Sequence, residues 1–224
     1  MNWENILKLA EFDTPTVANG HELLGTRDPS IGYCGPDVRA LMPEMGVRVG
    51  VAITARMDTT TAGMDNPASL FKDWVRMIHE AAGSERRPVF AVVESVGPRP
   101  RYTVTIGDGM GTAMQRAGAV GFVTNGSIRD LDGVRAVPLP CWAAGLSPMH
   151  GRIRWLDVGS PVVIDGATVR TGDIIHADVN GVLVLPPEDA DKVYEQAVRV
   201  RDREAAMFAR WRDPATTIER WLAT

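Results

Sequence analysis

Tyr102-Thr-Val-Thr-Ile-Gly-Asp-Gly-Met-Gly111 joins a predicted strand to a glycine-rich turn. The residues that follow predict a helix over 112–117 and a second strand over 120–124, which ends at another glycine turn. The pair Arg129-Asp130 comes directly after that turn. This order of elements predicts a strand–helix–strand unit with charged residues at the end of its second strand.

If the two predicted strands are parallel, the glycine-rich turn and Arg129-Asp130 emerge at the same edge. That carboxyl edge is where open α/β sheets bind their ligands. The turn would present backbone N–H groups at a helix N-terminus, which suits an anion. Arg129 offers a planar cation for a substrate carboxylate, and Asp130 offers an oxygen ligand for a divalent metal. The sequence therefore predicts a combined anion and metal site.

Other interpretations of these residues exist. A dinucleotide-binding loop needs glycine or alanine at the third position of G-x-G-x-x-G/A, where this chain has Thr112 or Met114. It also needs an acid at the end of the second strand, where Asn125 stands. The glycines could simply form a tight turn, Arg129 could be a surface arginine, and Asp130 could cap the next helix.

Composition limits the classes of protein to consider. The chain has 224 residues, 45% of them hydrophobic and 23% charged, which predicts one globular domain over 1–224. Within it we expect N-terminal helices over 1–25 and a C-terminal helical extension over 186–224. The net charge of −4 without a basic block argues against nucleic-acid binding. No membrane span or signal peptide is recognisable, which favours a cytoplasmic protein.

Cysteine and lysine usage excludes two kinds of chemistry. Cys34 and Cys141 are far apart and lack the spacing of a disulfide framework or a structural zinc site. The chain has three lysines, Lys8, Lys72 and Lys192, each in a polar helical pattern. A Schiff-base enzyme needs a lysine that is desolvated in a pocket. Covalent amine catalysis is therefore not expected.

Turn and helix signals predict the remaining elements. Helices are expected over 2–12, from Thr14-Pro15 with the threonine as cap, and from Asn66-Pro67 to about Ala82. A last long helix is expected from Pro186 to about Arg212. Strands are expected over 47–55, 88–94 and 138–142, with a short extended piece at 38–41. Hairpin turns are expected at Asp165-Gly166, Thr171-Gly172 and Asn180-Gly181.

The spacing Gly107-Asp108-(x20)-Arg129-Asp130 resembles the D-x20-R-D signature of the class II pyruvate aldolases. The similarity is to the 4-hydroxy-4-methyl-2-oxoglutarate aldolase type, a family that includes the regulator-of-ribonuclease-activity A (RraA-like) proteins. It covers roughly residues 10–210. Flanking segments that resemble the family are 13–17, 49–54, 118–130, 139–148, 166–178 and Asn180-Gly181.

The resemblance implies a fold and a reaction. The family has an α/β fold with three layers, β/β/α, similar to the phosphohistidine swivelling domain, with flanking N- and C-terminal helices. Its members form homotrimers or homohexamers. The implied activity is that of a lyase: divalent-metal-dependent retro-aldol cleavage of a 4-hydroxy-2-oxo acid to pyruvate and a carbonyl compound. Oxaloacetate decarboxylation is an expected side activity. No nucleic-acid or membrane partner is implied.

The resemblance also implies roles for individual residues. Asp130 would ligate Mg²⁺ or Mn²⁺, Arg129 would bind the 2-oxo acid, and Asp108 would hold a water on the metal. The backbone of Gly107, Asp108, Gly109 and Met110 would receive the pyruvyl carboxylate. An acid from the C-terminal helix of a neighbouring subunit would complete the site, and by position this is Glu204.

Three residues depart from the family pattern at positions expected to face the substrate. They are Glu94, Trp142 and Ala144, so the substrate itself is not implied. Branched dicarboxylic acids and sugar-derived 2-keto-3-deoxy acids both stay open.

Two alternatives to the aldolase interpretation are open to this sequence. One is a non-catalytic regulator that binds proteins, like the ribonuclease-inhibitor members of the family. The other, a methyltransferase of quinone precursors, lacks a fitting cofactor loop. The histidines His21, His79, His150 and His176 are scattered, and His176 is expected to be structural.

Overall fold

The computed structural model describes residues 2–60, 68–83 and 85–222. In chain order its strands are β1 (Arg39–Ala40), β2 (Arg48–Asp58), β3 (Val89–Ser95), β4 (Val104–Ile106), β5 (Ala119–Thr124), β6 (Ser127–Ile128), β7 (Cys141–Ala143), β8 (Gly145–Leu146), β9 (Arg154–Val158), β10 (Val162–Ile164), β11 (Ala167–Val169), β12 (Ile174–Asp178) and β13 (Gly181–Leu185). Its helices are α1 (Trp3–Lys8), α2 (Thr14–Glu22), α3 (Ala68–Ala82), α4 (Asp108–Ala117), α5 (Leu131–Ala136), α6 (Pro187–Ala190), α7 (Val193–Arg212) and α8 (Ile218–Leu222).

The centre of the molecule is a mixed β-sheet in the order β1-β7-β5-β3-β2-β12-β13. Strands β2, β3, β5 and β7 are parallel, whereas β12 and β13 pair antiparallel beside β2. The second half of β2 also pairs with β9. The near-continuous apolar run of β3 is buried on both faces, as expected of a central parallel strand.

Helices cover one face of this sheet and a small β-layer covers the other. On the helical face, Trp74 of α3, Met114 of α4 and Val134 of α5 pack against alternate residues of β2 and β3. On the opposite face, the hairpin β10–β11 packs over Phe90 and its neighbours. The three layers are therefore hairpin, sheet and helices. The α/β class predicted from the sequence, with its β/β/α layers and flanking helices, is confirmed.

The N- and C-terminal helices share a third apolar cluster at the β12–β13 edge. Ile6 and Leu9 lie against Val193 and Ala197 of α7, all fully buried. Helix α2 also approaches α7 closely. This approach depends on Gly20 of α2, where a Cβ atom would stand 2.8 Å from the Ala197 nitrogen. In the part of the chain that the structure describes, no helix is long and apolar enough to cross a membrane.

A separate three-stranded sheet, β4-β6-β8, corrects the prediction for the strand–helix–strand unit. The strand that precedes the glycine-rich turn pairs in parallel with β6, so the two strands of the predicted unit lie in different sheets. β5 belongs to the main sheet, and the turn at Asn125-Gly126 carries the chain from it into β6. Asn125 fixes this turn, because its side chain accepts a hydrogen bond from the Ser95 N–H and donates one to the Ser95 carbonyl. The short strand β6 was not predicted.

Two predicted helix boundaries were wrong. The N-cap of α2 is Asp13, whose carboxylate accepts from the Thr16 N–H, and not Thr14. The long C-terminal helix is divided between α6 and α7. At this break Asp191 bonds to the N-terminal residues, since its carbonyl accepts from the Asn5 side chain and its carboxylate accepts from the Asn2 N–H. The helix start expected at Asn66-Pro67 lies outside the described residues.

Two of the three expected hairpins are present. Asp165-Gly166 turns β10 into β11, and Asn180-Gly181 turns β12 into β13. Thr171-Gly172 instead passes the chain back to the main sheet, where the Gly172 N–H donates to the Ala52 carbonyl. A hairpin is excluded there because β12 pairs with β2 and β13 on its two sides.

His176 is structural, as expected. It is fully buried in β12, with Nε2 3.0 Å from the Leu9 carbonyl oxygen and Nδ1 2.9 Å from the Thr14 hydroxyl. A carbonyl only accepts, so Nε2 carries the hydrogen and the Thr14 hydroxyl donates to Nδ1. Burial lowers the pKa of His176, and burial also lowers the pKa of His21, which lies beside Asp189. Both imidazoles are therefore held neutral.

We expect the free energy of unfolding to decrease as the pH falls below about 6.5. In that range unfolded histidines take up protons, whereas the lowered pKa of His21 and of His176 keeps the folded protein from doing so. The slope reaches at most about 1.4 kcal/mol per pH unit for each histidine. Urea unfolding at several values between about pH 8 and about pH 5.5 measures how the free energy of unfolding changes with pH. His176→Gln should reduce this slope. A constant free energy of unfolding across this range would contradict the expectation.

Candidate active site

The pairing of β4 with β6 brings the two halves of the predicted site together. The Arg129 N–H donates to the Ile106 carbonyl at 3.0 Å, so both strands end at the same level. Gly107 then begins α4 as its N-cap, and Asp130 begins α5. Asp130 has φ 53° and ψ 45°, a left-handed conformation that aspartate tolerates better than most residues. Two helix starts therefore face each other across one cleft.

Gly107 lies in contact with both charged side chains. A Cβ atom at this position would stand 2.6 Å from Asp130 Oδ2 and 3.2 Å from Arg129 Nε. Arg129 Nε itself donates to Asp130 Oδ2 at 2.9 Å. Any side chain at position 107 would displace the carboxylate, so the backbone of the turn needs glycine for this close approach.

The glycine-rich turn is the first turn of α4. The helix covers Asp108–Ala117, four residues earlier than the predicted start, and the Gly111 N–H donates to the Gly107 carbonyl. The Asp108 carboxylate accepts from the Gly109 N–H at 2.7 Å. The N–H groups of a first turn have no partner within their helix, and together they favour negative charge. The Gly109 N–H is already used by Asp108, and the binding of an anion to this turn stays a prediction.

Asp108 is held in place by α5. A Cβ atom on Gly133 would stand 2.7 Å from the Asp108 Cβ and 2.9 Å from its Oδ2. The absence of a side chain at position 133 thus leaves room for Asp108 between the two helices. Asp108 and Asp130 both lie at the cleft, the first at the start of α4 and the second at the start of α5.

The cleft has a volume of about 210 Å³. Apolar walls come from Val104, Ile106, Met110 and Ile153. Its polar lining residues are Gly107, Asp108, Gly109, Arg129, Asp130 and His150. Arg129 and Asp130 keep 31% and 37% of their side-chain surface exposed, so their mutual ion pair contributes little to stability and both can meet a ligand.

A divalent cation fits the donor set at Asp130. No group of three acidic, histidine or cysteine side chains among the described residues could enclose a metal. Oxygen ligation by one carboxylate with several retained waters is nevertheless the usual way that Mg²⁺ binds in enzymes. Gly107 provides the space for it, because a side chain there would fill the position next to Asp130 Oδ2.

Glu204 does not line this cleft. It lies half-buried on α7, in a groove of about 510 Å³ whose other wall is α2, together with Asn19 and Leu23. Within one chain the structure therefore does not bring Glu204 to Arg129 and Asp130. Its predicted role depends on a neighbouring subunit and stays a prediction.

Sequence reasoning missed two residues of the cleft, His150 and Ile153. They follow β8, which pairs with β6 in the small sheet and so runs beside the strand that leads to Arg129. In the sequence His150 is one of four scattered histidines. The one signal for His150 in the sequence is its position, a few residues after Gly145-Leu146. That segment could not be recognised as a strand, because two residues form no pattern.

The expectation for Trp142 was wrong. Its ring is buried at 2% exposure on the hairpin side of the sheet, 5.7 Å from the ring of Phe90. Its Nε1–H donates to the Asp178 carbonyl at 2.7 Å. Trp142 therefore belongs to the core and faces no substrate. Glu94 accepts a hydrogen bond from Arg56 Nε at 3.0 Å, and neither Glu94 nor Ala144 lines the cleft.

Two relatives with curated names show weak similarity to this chain. An uncharacterized protein of Methanocaldococcus jannaschii is 27% identical over 136 residues, 60% of this chain and 64% of that protein. The match thus spans less than two thirds of that relative. A protein of Azotobacter vinelandii is 27% identical over 161 residues, 69% of this chain and 94% of its own length. Its name is "Putative 4-hydroxy-4-methyl-2-oxoglutarate aldolase".

A solved structure shares the fold. Streptomyces coelicolor RraAS2, described as an unusual member of the RNase ES inhibitor RraA protein family, superposes with a TM-score of 0.71 and 22% identity. The match covers 93% of this chain and 96% of that one. Residues 14–184, which carry the glycine-rich turn, Arg129 and Asp130, match the family described as RraA-like, Aldolase/RraA. The chain belongs to the RraA-like family.

Proposed function

We propose that this protein is a divalent-metal-dependent lyase that cleaves a 4-hydroxy-2-oxo acid to pyruvate and a carbonyl compound. The observation that carries the proposal is the contact of Gly107 with both Arg129 and Asp130 at the start of two helices. The aldolase name of the Azotobacter relative supports it. A coupled assay that follows pyruvate release from 4-hydroxy-2-oxo acids in the presence of Mg²⁺ tests it.

The reaction must stabilise negative charge on the pyruvyl fragment as the C3–C4 bond breaks. Arg129 and the first-turn N–H groups of α4 would bind the C1 carboxylate and offset this charge. Asp130 would hold Mg²⁺ or Mn²⁺, which when bound supplies a Lewis acid for the 2-oxo group. Asp108 would orient water to accept the proton of the C4 hydroxyl. Loss of CO₂ from oxaloacetate needs the same stabilisation, so decarboxylation is expected as a side activity.

Both charged residues of the cleft should be needed for turnover. We expect Asp130→Asn and Arg129→Lys each to lower kcat on the order of 10²-fold or more, as the loss of preorganised electrostatic stabilisation does. Lysine keeps the charge of Arg129 but loses its bidentate geometry. Arg135→Lys is the matched control, because Arg135 pairs with Glu44 and Asp132 outside the cleft. Near-normal turnover of Arg129→Lys would show that another cation binds the substrate.

Chelation separates the metal mechanism from an imine mechanism. We expect EDTA to abolish pyruvate release and Mg²⁺ or Mn²⁺ to restore it. No lysine lines the cleft among the described residues, and Lys72 and Lys192 are exposed. Borohydride should therefore trap no covalent adduct with the substrate. Activity that survives thorough chelation and is lost to borohydride would overturn the proposal.

We further propose that the chain forms a homotrimer or homohexamer through the second half of α7. Met207, Phe208 and Trp211 there keep 46%, 46% and 38% of their surface exposed. Exposed apolar side chains on one helix are typical of an interface. In such an assembly Glu204 would complete the site of a neighbouring subunit.

Light scattering should give the mass of three or six chains, and replacing Met207, Phe208 and Trp211 by serine should reduce it. Glu204→Gln in the intact assembly should lower kcat without changing the mass. A monomer at micromolar concentration that is fully active would contradict this assembly.

A non-catalytic regulator remains the competing function, supported by the inhibitor family named for the Streptomyces structure. Recovery of a ribonuclease in a pull-down, together with no turnover of any 2-oxo acid, would favour it. Purified protein with measurable Mg²⁺-dependent pyruvate release would favour the lyase.

A further inference from the structure

The loop that follows β8 lines the cleft together with the glycine-rich turn. His150 and Ile153 of this loop line the cleft. The reaction proposed above assigns tasks to Asp108, Arg129 and Asp130, but none to His150. An exposed histidine is ordinary on a protein surface, so its position and chemistry must decide whether it has a role.

The backbone holds His150 in place from both sides. Before it, the Ser147 N–H donates to the Ile128 carbonyl at 3.0 Å, one residue before Arg129. After it, the Arg152 N–H donates to the Thr59 carbonyl at 3.3 Å. Gly151 has φ 63°, and a Cβ atom there would stand 2.5 Å from that same carbonyl oxygen. Only glycine allows this approach, and it determines where residue 150 lies.

Thr59 also connects this loop to β4, the strand that leads into the glycine-rich turn. Its hydroxyl accepts from the Val104 N–H at 3.1 Å, at the start of the strand that leads into the glycine-rich turn. Thr59 is itself buried at 4% exposure. One residue at the end of β2 therefore contacts both the strand that carries Gly107 and the loop that carries His150. Thr59 is therefore a shared anchor for these two segments.

The hydrogen bonding of the imidazole indicates what it offers to a ligand. His150 Nδ1 lies 2.9 Å from the Gly151 carbonyl oxygen. Since a carbonyl only accepts, Nδ1 carries a hydrogen, and in this tautomer Nε2 is an acceptor. An acceptor nitrogen prefers a donor such as a hydroxyl group to a carboxylate.

The charges of the cleft also favour a hydroxyl group over a carboxylate as the ligand of His150. Among the described residues that line it, Arg129 is the only lysine or arginine, and Asp108 and Asp130 are both acids. Arg129 already pairs with Asp130 and is the group that would take the C1 carboxylate. Within one chain, a second carboxylate at the far end of a substrate would meet no further lysine or arginine among the residues that line the cleft. A neutral hydroxylated chain would meet His150 and the apolar side chain of Ile153.

We propose that His150 binds the part of the substrate beyond C4, and that this part is a hydroxylated neutral chain and not a carboxylate. The proposal rests on the lyase function proposed above. It assigns to this protein 4-hydroxy-2-oxo acids that release a hydroxyaldehyde together with pyruvate. In the cleavage the C3–C4 electron pair stays with the pyruvyl fragment, the C4 hydroxyl loses its proton and becomes the aldehyde, and C3 takes up a proton.

Two five-carbon substrates form a matched pair for the test. 4,5-Dihydroxy-2-oxopentanoate gives pyruvate and glycolaldehyde, whereas 4-hydroxy-2-oxoglutarate gives pyruvate and glyoxylate. They differ only in a hydroxymethyl group against a carboxylate at C4. We expect kcat/KM of the wild-type protein to be at least about tenfold higher for the dihydroxy acid, because the carboxylate has no cation to bind. A preference for 4-hydroxy-2-oxoglutarate would overturn the proposal.

His150→Ala then tests the residue itself. It should lower kcat/KM for the dihydroxy acid about tenfold, mainly through KM, as loss of one hydrogen bond does. Exchange of the pyruvate methyl protons with D₂O, followed by NMR, requires only the pyruvyl end of the site and should stay within about twofold. His79→Ala is the matched control, because His79 is an exposed histidine of α3 that does not line the cleft.

The outcomes separate the two proposals. Equal losses of cleavage and exchange in His150→Ala would mean a general structural role and would refute the assignment of His150. Unchanged kcat/KM would refute it as well, while the lyase function would stand. If the wild-type protein catalyses neither cleavage nor exchange, the lyase function fails and the substrate assignment fails with it.

Discussion

The site depends on the contact between the backbone of Gly107 and the carboxylate of Asp130. This contact is possible because the Arg129 N–H bonds to the Ile106 carbonyl and brings two helix starts to the same level. Two positive helix ends and a guanidinium then surround two acids. The missing Cβ at Gly107 leaves the space that a cation or a substrate carboxylate would need. A side chain at position 107 would keep the Asp130 carboxylate away from the backbone of the glycine-rich turn.

Much of this arrangement could be predicted from the residues. The apolar run of β3, the glycine turns of the late hairpins and the D-x20-R-D spacing all have local causes, and the α/β class followed from their order. The partner of β4 could not be predicted, because β6 has only two residues and no pattern of its own. The second strand of the predicted unit, β5, instead lies in the main sheet between β3 and β7.

The other differences arise from tertiary contacts that local patterns do not contain. Asp13 caps α2 because Thr14 is used by the buried His176. α6 ends because Asp191 bonds to the first residues of the chain, more than 180 positions away. Trp142 lies in the core, where its Nε1–H donates to the carbonyl of Asp178 at the end of β12. In each case a long-range hydrogen bond decides between two structures that are equally acceptable locally.

The shared anchor at Thr59 has a consequence for how this fold can diversify. Backbone hydrogen bonds at Ile128 and Thr59 and the packed side chain of Ile153 hold the loop after β8, whereas its side chains at 148–150 take no part in the three apolar clusters. Exchanges of those side chains would leave the clusters and the charged pair at 129–130 intact. New chemical preferences could therefore arise by drift in a few adjacent codons, at almost no cost in folding free energy.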